Sequence, residues 1–235
     1  MRDYNLGFIN NEDFYNHVKE TVDKYRFKVN LLEFNKNLID PIKLTFDSKV
    51  YGKSIDDVIE YEVVRQVDKS NTNHIGYFHQ NIFRYIGSGW HIPISGYDIV
   101  NEETCCYVEM KNKHNTMNSS SSQKTYMRMM KTLLSNERAK CILVEVIATK
   151  SQDIAWQISL DGVPMSDQRI RRVSIDKFYE LVTGDRTAFK KLCENLPLVI
   201  DDIVNSSDFE KESNCVIQEL KAIDNNLLKS LFLLS

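Results

Sequence analysis

A chain of 235 residues, 42% hydrophobic and 10% aromatic, is long enough for one sizeable core, so a single domain over 1–235 is the default expectation. Thirty basic residues against thirty-three acidic ones leave a net charge of −3, which excludes a polycation that coats nucleic acid or membrane without selectivity. Any polyanion must be met by a local patch or a metal. Cys105, Cys106, Cys141, Cys193 and Cys215 are odd in number and lack CxxC spacing; three sit in apolar runs and read as reduced core thiols of a cytoplasmic protein. The N-terminus MRDYNLGFINNEDF has no signal-like apolar stretch and no run reaches bilayer length, so no membrane partner is expected.

In chain order, helical patterns come first. Asn11 can cap a helix carrying Phe14, Val18 and Val22, and Ser54 with Asp57 resembles a capping box opening IDDVIEYEVVRQVD. A further helix is predicted over HIGYFHQNIFRYI, ended by Gly87 and Gly89. The period then changes to that of strands in WHIPI, YDIV, CCYVEMK and, after a helix, CILVEVIA. QISLDG and RIRRVSI add two more around an Asp-Gly turn signal. Helices return at SIDKFYELV, RTAFKKLCENL and the amphipathic C-terminal segment. The layout predicts an α/β or α+β sandwich, a central mixed β-sheet flanked by helices. Its helical N-terminal region covers about 1–86, its sheet core about 90–175 and its helical C-terminal region about 175–235.

Within that layout, YDIVNEE and CCYVEMK are predicted as adjacent strands joined by the turn Asn101 to Thr104, with Glu109 and Lys111 on one strand face. Pairing across the turn brings Asp98 towards them. Two carboxylates with room for waters suit Mg²⁺, and a lysine beside them can orient the attacking water. A solvated edge strand carrying paired charges is the other reading of the same triplet. On the helix from Ile55 to Val67, Glu62 falls near the centre of the apolar face formed by Ile55, Val58, Ile59 and Val63, with Gln66 beside it. There it serves either a structural ion pair or a metal as a further ligand, and we favour the ligand.

The polar stretch Asn112, Lys113, His114, Asn115, Asn118, Ser119 to Ser122, Gln123 and Lys124 follows the proposed catalytic strand. By itself it reads as a solvated loop and helix N-terminus, Ser119 to Ser121 being good caps. Arg169, Arg171 and Arg172 form a second basic cluster, the first two sharing a strand face. His79 reads as a hydrogen-bonded core or interface histidine, having no Cys/His partner at ligand spacing. Met127, Met129 and Met130, with Tyr126 and Leu133, read as a core-facing helix side, and Trp90 and Trp156 as packing residues.

Asp98, ten intervening residues, then Glu109-Met110-Lys111 matches the PD-(D/E)xK nuclease pattern, with Tyr97 where that pattern has proline. Together with VEMKNKHNTMNSSSSQKTYMRM and DKSNTNHIGYFHQNIFRYIGSGW, the chain resembles the type II restriction endonucleases that recognise GGNCC-like sites. The resemblance implies a restriction-endonuclease-like core and Mg²⁺-dependent cleavage of double-stranded DNA within a restriction-modification system. It implies metal ligation by Asp98, Glu109 and the Met110 backbone carbonyl, with Lys111 positioning the water, and DNA contact by the polar stretch, Ser119 and Ser121 included, with Arg169, Arg171 and Arg172 on bases or phosphates. It also implies a homodimer matched to a palindromic site and a cognate DNA methyltransferase acting on that site. A repair or junction-resolving nuclease of the same superfamily, or a noncatalytic DNA-binding module, are the alternatives.

Overall fold

The β-branched and aromatic runs in the middle of the chain build a single mixed sheet. The structure is a computed structural model that describes residues 2–37, 39–87, 89–114, 116–206 and 215–227. The strands are β1 (Trp90–His91), β2 (Ile99–Asn101), β3 (Cys106–Lys113), β4 (Lys140–Ile147), β5 (Asp153–Leu160) and β6 (Val163–Ser174). Their order in the six-stranded sheet is β1-β2-β3-β4-β6-β5. The centre, β3 with β4 and β4 with β6, is parallel; β1 with β2, β2 with β3 and β5 with β6 are antiparallel. The helices are α1 (Asn11–Val22), α2 (Leu31–Lys36), α3 (Pro41–Tyr51), α4 (Ile55–Asn81), α5 (Ser119–Ser135), α6 (Ile175–Thr183), α7 (Ala188–Ser206) and α8 (Val216–Ile223). None is long and apolar enough to cross a membrane among the described residues. This is the predicted α+β class, a mixed sheet flanked by helices.

The chain divides into two compact units, Met1–Thr21 with Gly76–Ser206, and Val22–Ile75 with Ser207–Ser235. The first holds the sheet. A parallel pair needs a crossover, and α5 supplies it between β3 and β4. Its apolar face, Tyr126, Met129 and Leu133, packs on Cys141, Leu143, Trp156 and Ile170. From α6, Phe178 and Tyr179 are fully buried against Phe83, with ring centroids 4.8 and 4.9 Å apart, and Phe178 meets Trp90 edge-on at 5.6 Å. The β5–β6 hairpin turns on Asp161 (φ +50°) and Gly162 (φ +83°), the doubly left-handed pair that an Asp-Gly dipeptide accommodates. In the second unit, Val29, Phe34, Ile59, Val63, Val216, Leu220 and Leu227 form a small core.

Several expectations shift in detail. Asn10, not Asn11, caps α1, accepting the Asp13 N–H at 2.8 Å. The Ser54–Asp57 capping box is reciprocal, with bonds of 3.0 and 3.1 Å. The two helices expected between Ile55 and Ile86 are one, because the polar stretch separating their apolar faces contains no residue that stops a helix. Residues 55–75 of α4 belong to one unit and 76–81 to the other. Strand β2 begins at Ile99 and includes Asn101, so the turn falls at 102–105, closed by Cys105 at φ +53°. Met127 is 44% exposed and stands outside the core face of α5. Of the five free thiols, Cys105, Cys106 and Cys141 are buried while Cys193 and Cys215 are exposed.

Candidate active site

Strand alternation decides what faces α5. Along β3, Tyr107, Glu109 and Lys111 share the α5 side, while Cys106, Val108 and Met110 take the other. Asp98 stands one residue before β2, where the antiparallel ladder ends. Its backbone N–H donates to the Val108 carbonyl at 2.9 Å, and its carboxylate accepts the Met110 N–H at 2.7 Å. The side chain therefore takes a β3 donor that a longer β2 would have bonded. N–H and C=O of one extended residue leave a strand on the same side, so the Met110 carbonyl also points toward Asp98's edge of β3.

Glu109 is 8% exposed, and both its oxygens are engaged by cations. Oε1 accepts from Lys111 Nζ at 2.6 Å, and Oε2 accepts from Arg128 Nη2. Arg128 reaches in from α5; its Nη1 donates to the Gly96 carbonyl, and its guanidinium lies over the Tyr97 ring, 4.8 Å from the centroid. The Tyr97 hydroxyl in turn bonds Thr132 Oγ1 at 2.7 Å, one turn further along α5. Burial pushes the Asp98 carboxyl above the usual carboxylate range; the Met110 N–H pulls it back, and the negative charge of Glu109 adds to the rise. Asp98, Glu109 and Lys111 thus come together, two carboxylates beside one ammonium. Sequence reasoning missed Arg128, whose signal was a lone cation between Tyr126 and Met129 on the helix that crosses back over β3.

Among the described residues no three His, Cys, Asp or Glu side chains gather as a metal cage. Two carboxylates and a backbone carbonyl are nevertheless the hard, incomplete oxygen set that Mg²⁺ accepts while keeping several waters. The residues present fit that ion.

Glu62 lies in the other compact unit, and its side chain is 12% exposed. Burial would raise its carboxyl, but Arg65, with two bonds of 2.6 and 2.5 Å, and Gln66 at 3.1 Å hold it below the usual range. Gln66 itself spans to the Phe34 carbonyl at 3.4 Å. Glu62 thus lies on the predicted apolar face, engaged by Arg65 and Gln66.

The remaining predicted residues are scattered in role. Asn112 is half-buried at the end of β3, and Lys113, His114, Asn118, Ser119, Ser121 and Lys124 are exposed around the loop and the start of α5. Asn118 is the helix cap, accepting the Ser121 N–H at 2.8 Å, and Gln123 donates to the Ser159 carbonyl at 2.7 Å. Asn115 lies outside the described residues. Each arginine of the second cluster has a carboxylate: Arg169 meets Asp167 at 3.2 Å, Arg171 meets Asp153 at 2.8 Å, and Arg172 meets Glu145 at 2.9 and 2.5 Å. Glu145 is 1% exposed and stands next to Lys111 in the β3–β4 register. His79 is half-buried; its Nδ1 has no hydrogen-bond partner, and burial, then the charge of His17, lowers its pKa to about 4. It is a neutral packing residue, without the bond at Nδ1 that a hydrogen-bonded core histidine would have.

Residues 6–205 match the family described as Eco47II restriction endonuclease. The type II restriction enzyme Sau96I of Staphylococcus aureus is 30% identical over 221 residues, covering 89% of this chain and 85% of that one. The type II restriction enzyme Eco47II of Escherichia coli is 30% identical over 214 residues, covering 85% of this chain and 88% of its own. No solved structure matches the chain significantly. A match across the sheet unit and most of the rest, with relatives aligned over nearly their whole length, makes this chain a member of the Eco47II restriction endonuclease family, a site-specific DNA endonuclease of type II.

Proposed function

We propose that Asp98, Glu109 and Lys111 are the catalytic set of a PD-(D/E)xK nuclease that cuts double-stranded DNA at a palindromic GGNCC-like site. The observation that carries this reading is the convergence of the three at the end of the β2–β3 ladder, with the Asp98 carboxylate bonded to the backbone of Met110. Asp98, Glu109 and the Met110 carbonyl would hold Mg²⁺. When bound, the ion supplies positive charge against the charge that develops on the phosphate and its leaving oxygen, and makes a bound water more acidic. Lys111, anchored on Glu109, orients the attacking water, and its positive charge stabilises the hydroxide that forms as the water gives its proton to solvent. No protein nucleophile is required. The products by family analogy carry a 5′-phosphate and a 3′-hydroxyl.

Exposed Lys113, His114 and Lys124 are the best candidates for phosphate or base contact, because the carboxylates beside Arg169, Arg171 and Arg172 compete with DNA for those guanidinium groups. Glu62 as a further ligand requires release from Arg65. A family match that runs through both compact units supports treating 1–235 as one nuclease domain. Two-fold symmetry of the site favours a homodimer, each copy cutting one strand. A methyltransferase protecting the same sequence and a cytoplasmic setting complete the restriction-modification reading.

Digestion of unmethylated phage DNA with Mg²⁺, followed by sequencing of fragment ends, tests it. Discrete ends at one GGNCC-like sequence, lost with Asp98→Ala or on chelation, are expected, with activity down by about 10³-fold or more in the variant. Discrete ends at an unrelated sequence would overturn the site; undiminished cutting by Asp98→Ala would overturn the catalytic set. In the same assay Glu62→Gln separates ligand from structural partner: unchanged cutting at limiting Mg²⁺ removes Glu62 from the site.

A further inference from the structure

Glu109 offers no free oxygen. Lys111 holds Oε1 and Arg128 holds Oε2, and together the two cations cancel the charges of Asp98 and Glu109. The cluster is therefore electrically closed without a metal. The Arg128 guanidinium is also seated on the Gly96 carbonyl and the Tyr97 ring, and Tyr97 is tied through Thr132, whose hydroxyl donates to the Arg128 carbonyl at 3.2 Å. Yet its buried Nε has no partner, a cost that a permanent structural arginine normally avoids. The seat is firm and incompletely satisfied.

We propose that Arg128 is the resident counter-ion of Glu109, which a divalent cation must displace from Oε2 in order to bind. This rests on the reading of Asp98 and Glu109 as the metal-holding pair. A guanidinium and a hard dication want the same carboxylate oxygen, and Lys111 is retained because it sits on the other one. Arg128 thus stabilises the buried carboxylate in the metal-free protein and weakens metal binding by the strength of one charge-assisted hydrogen bond. It is a positioning residue, since it acts through Glu109.

The test is Mn²⁺ binding to the DNA-free protein, with free ion measured by its paramagnetic resonance. Arg128→Met is expected to bind Mn²⁺ about tenfold more tightly than the parent, and Glu109→Gln to abolish binding in both backgrounds. A merely structural arginine gives the opposite sign, because a misplaced Glu109 binds metal less well. Equal or weaker binding by a folded Arg128→Met protein overturns the proposal. Should that variant fail to fold, Tyr97→Leu removes the ring under the guanidinium while keeping the charge; tighter binding supports the displacement and unchanged affinity overturns it. If the parent's own Mn²⁺ binding survives Glu109→Gln, the metal-site reading fails first and takes the displacement with it.

Discussion

Asp98 shows how a candidate site residue can work against the fold that carries it. Its carboxyl is pushed above the usual range chiefly by burial, so the folded chain holds this proton to higher pH than the unfolded chain does. Ionising it therefore costs stability as pH rises through its folded value, and the cost disappears below the unfolded carboxylate range. Asp98→Asn keeps an oxygen for the Met110 N–H and removes the buried charge. In metal-free buffer near neutral pH its apparent Tm is expected to rise by about 2 °C, with the advantage gone at low pH. Calorimetry at both pH values checks this, and a lower Tm at neutral pH would mean that the carboxylate is net stabilising. At this scale the clustering of Asp98, Glu109 and Lys111 was legible, because the predicted hairpin brings Asp98 towards Glu109 and strand alternation puts Lys111 on the same face. Arg128 was not, because its role depends on where α5 lands, which no local spacing encodes.

Elements were legible wherever local chemistry and packing agree. The Ser54–Asp57 box, the Asp161–Gly162 turn and the alternation in β3 and β4 all appear as their residues dictate. Helix α7 runs on through Pro197 to Ser206, where the sequence suggested a stop near Leu196. The lost backbone bond is offset by Val199 and Ile203, both fully buried on the continuing face. Arg172, expected to meet DNA, ties β6 to β4 through Glu145 and reaches the His114 carbonyl at 3.3 Å. Arg172→Ala would leave Glu145 as a buried uncompensated charge, a loss of about 3 kcal/mol. Denaturant titration should show that loss, and a combined Glu145→Leu, Arg172→Met variant should recover most of it. A fall in DNA affinity with unaltered stability would return Arg172 to the DNA surface.

At the scale of the whole molecule, the end of α4 carries one acid-sensitive group. His79 is buried enough that its pKa drops to about 4, whereas an unfolded histidine titrates near 6.5. A depressed histidine favours the native state above the unfolded value, and that contribution is lost as pH falls from about 6.5 to about 4. His79→Gln, neutral throughout, should lose about 2 °C less of apparent Tm between pH 7 and pH 5 than the parent. Parallel melting curves for the two proteins would discard this role. Composition and period by themselves determined the α+β class, the strand runs and the strand face that Glu109 shares with Lys111, because each depends on neighbours within a few residues. Glu62 and Arg65 are neighbours three residues apart on one helix, whereas only the tertiary structure decided that Arg172 meets Glu145 and that Arg128 sits on Glu109. Those pairings join residues by how helices and strands pack, and a buried charge takes whichever partner the packing brings within reach.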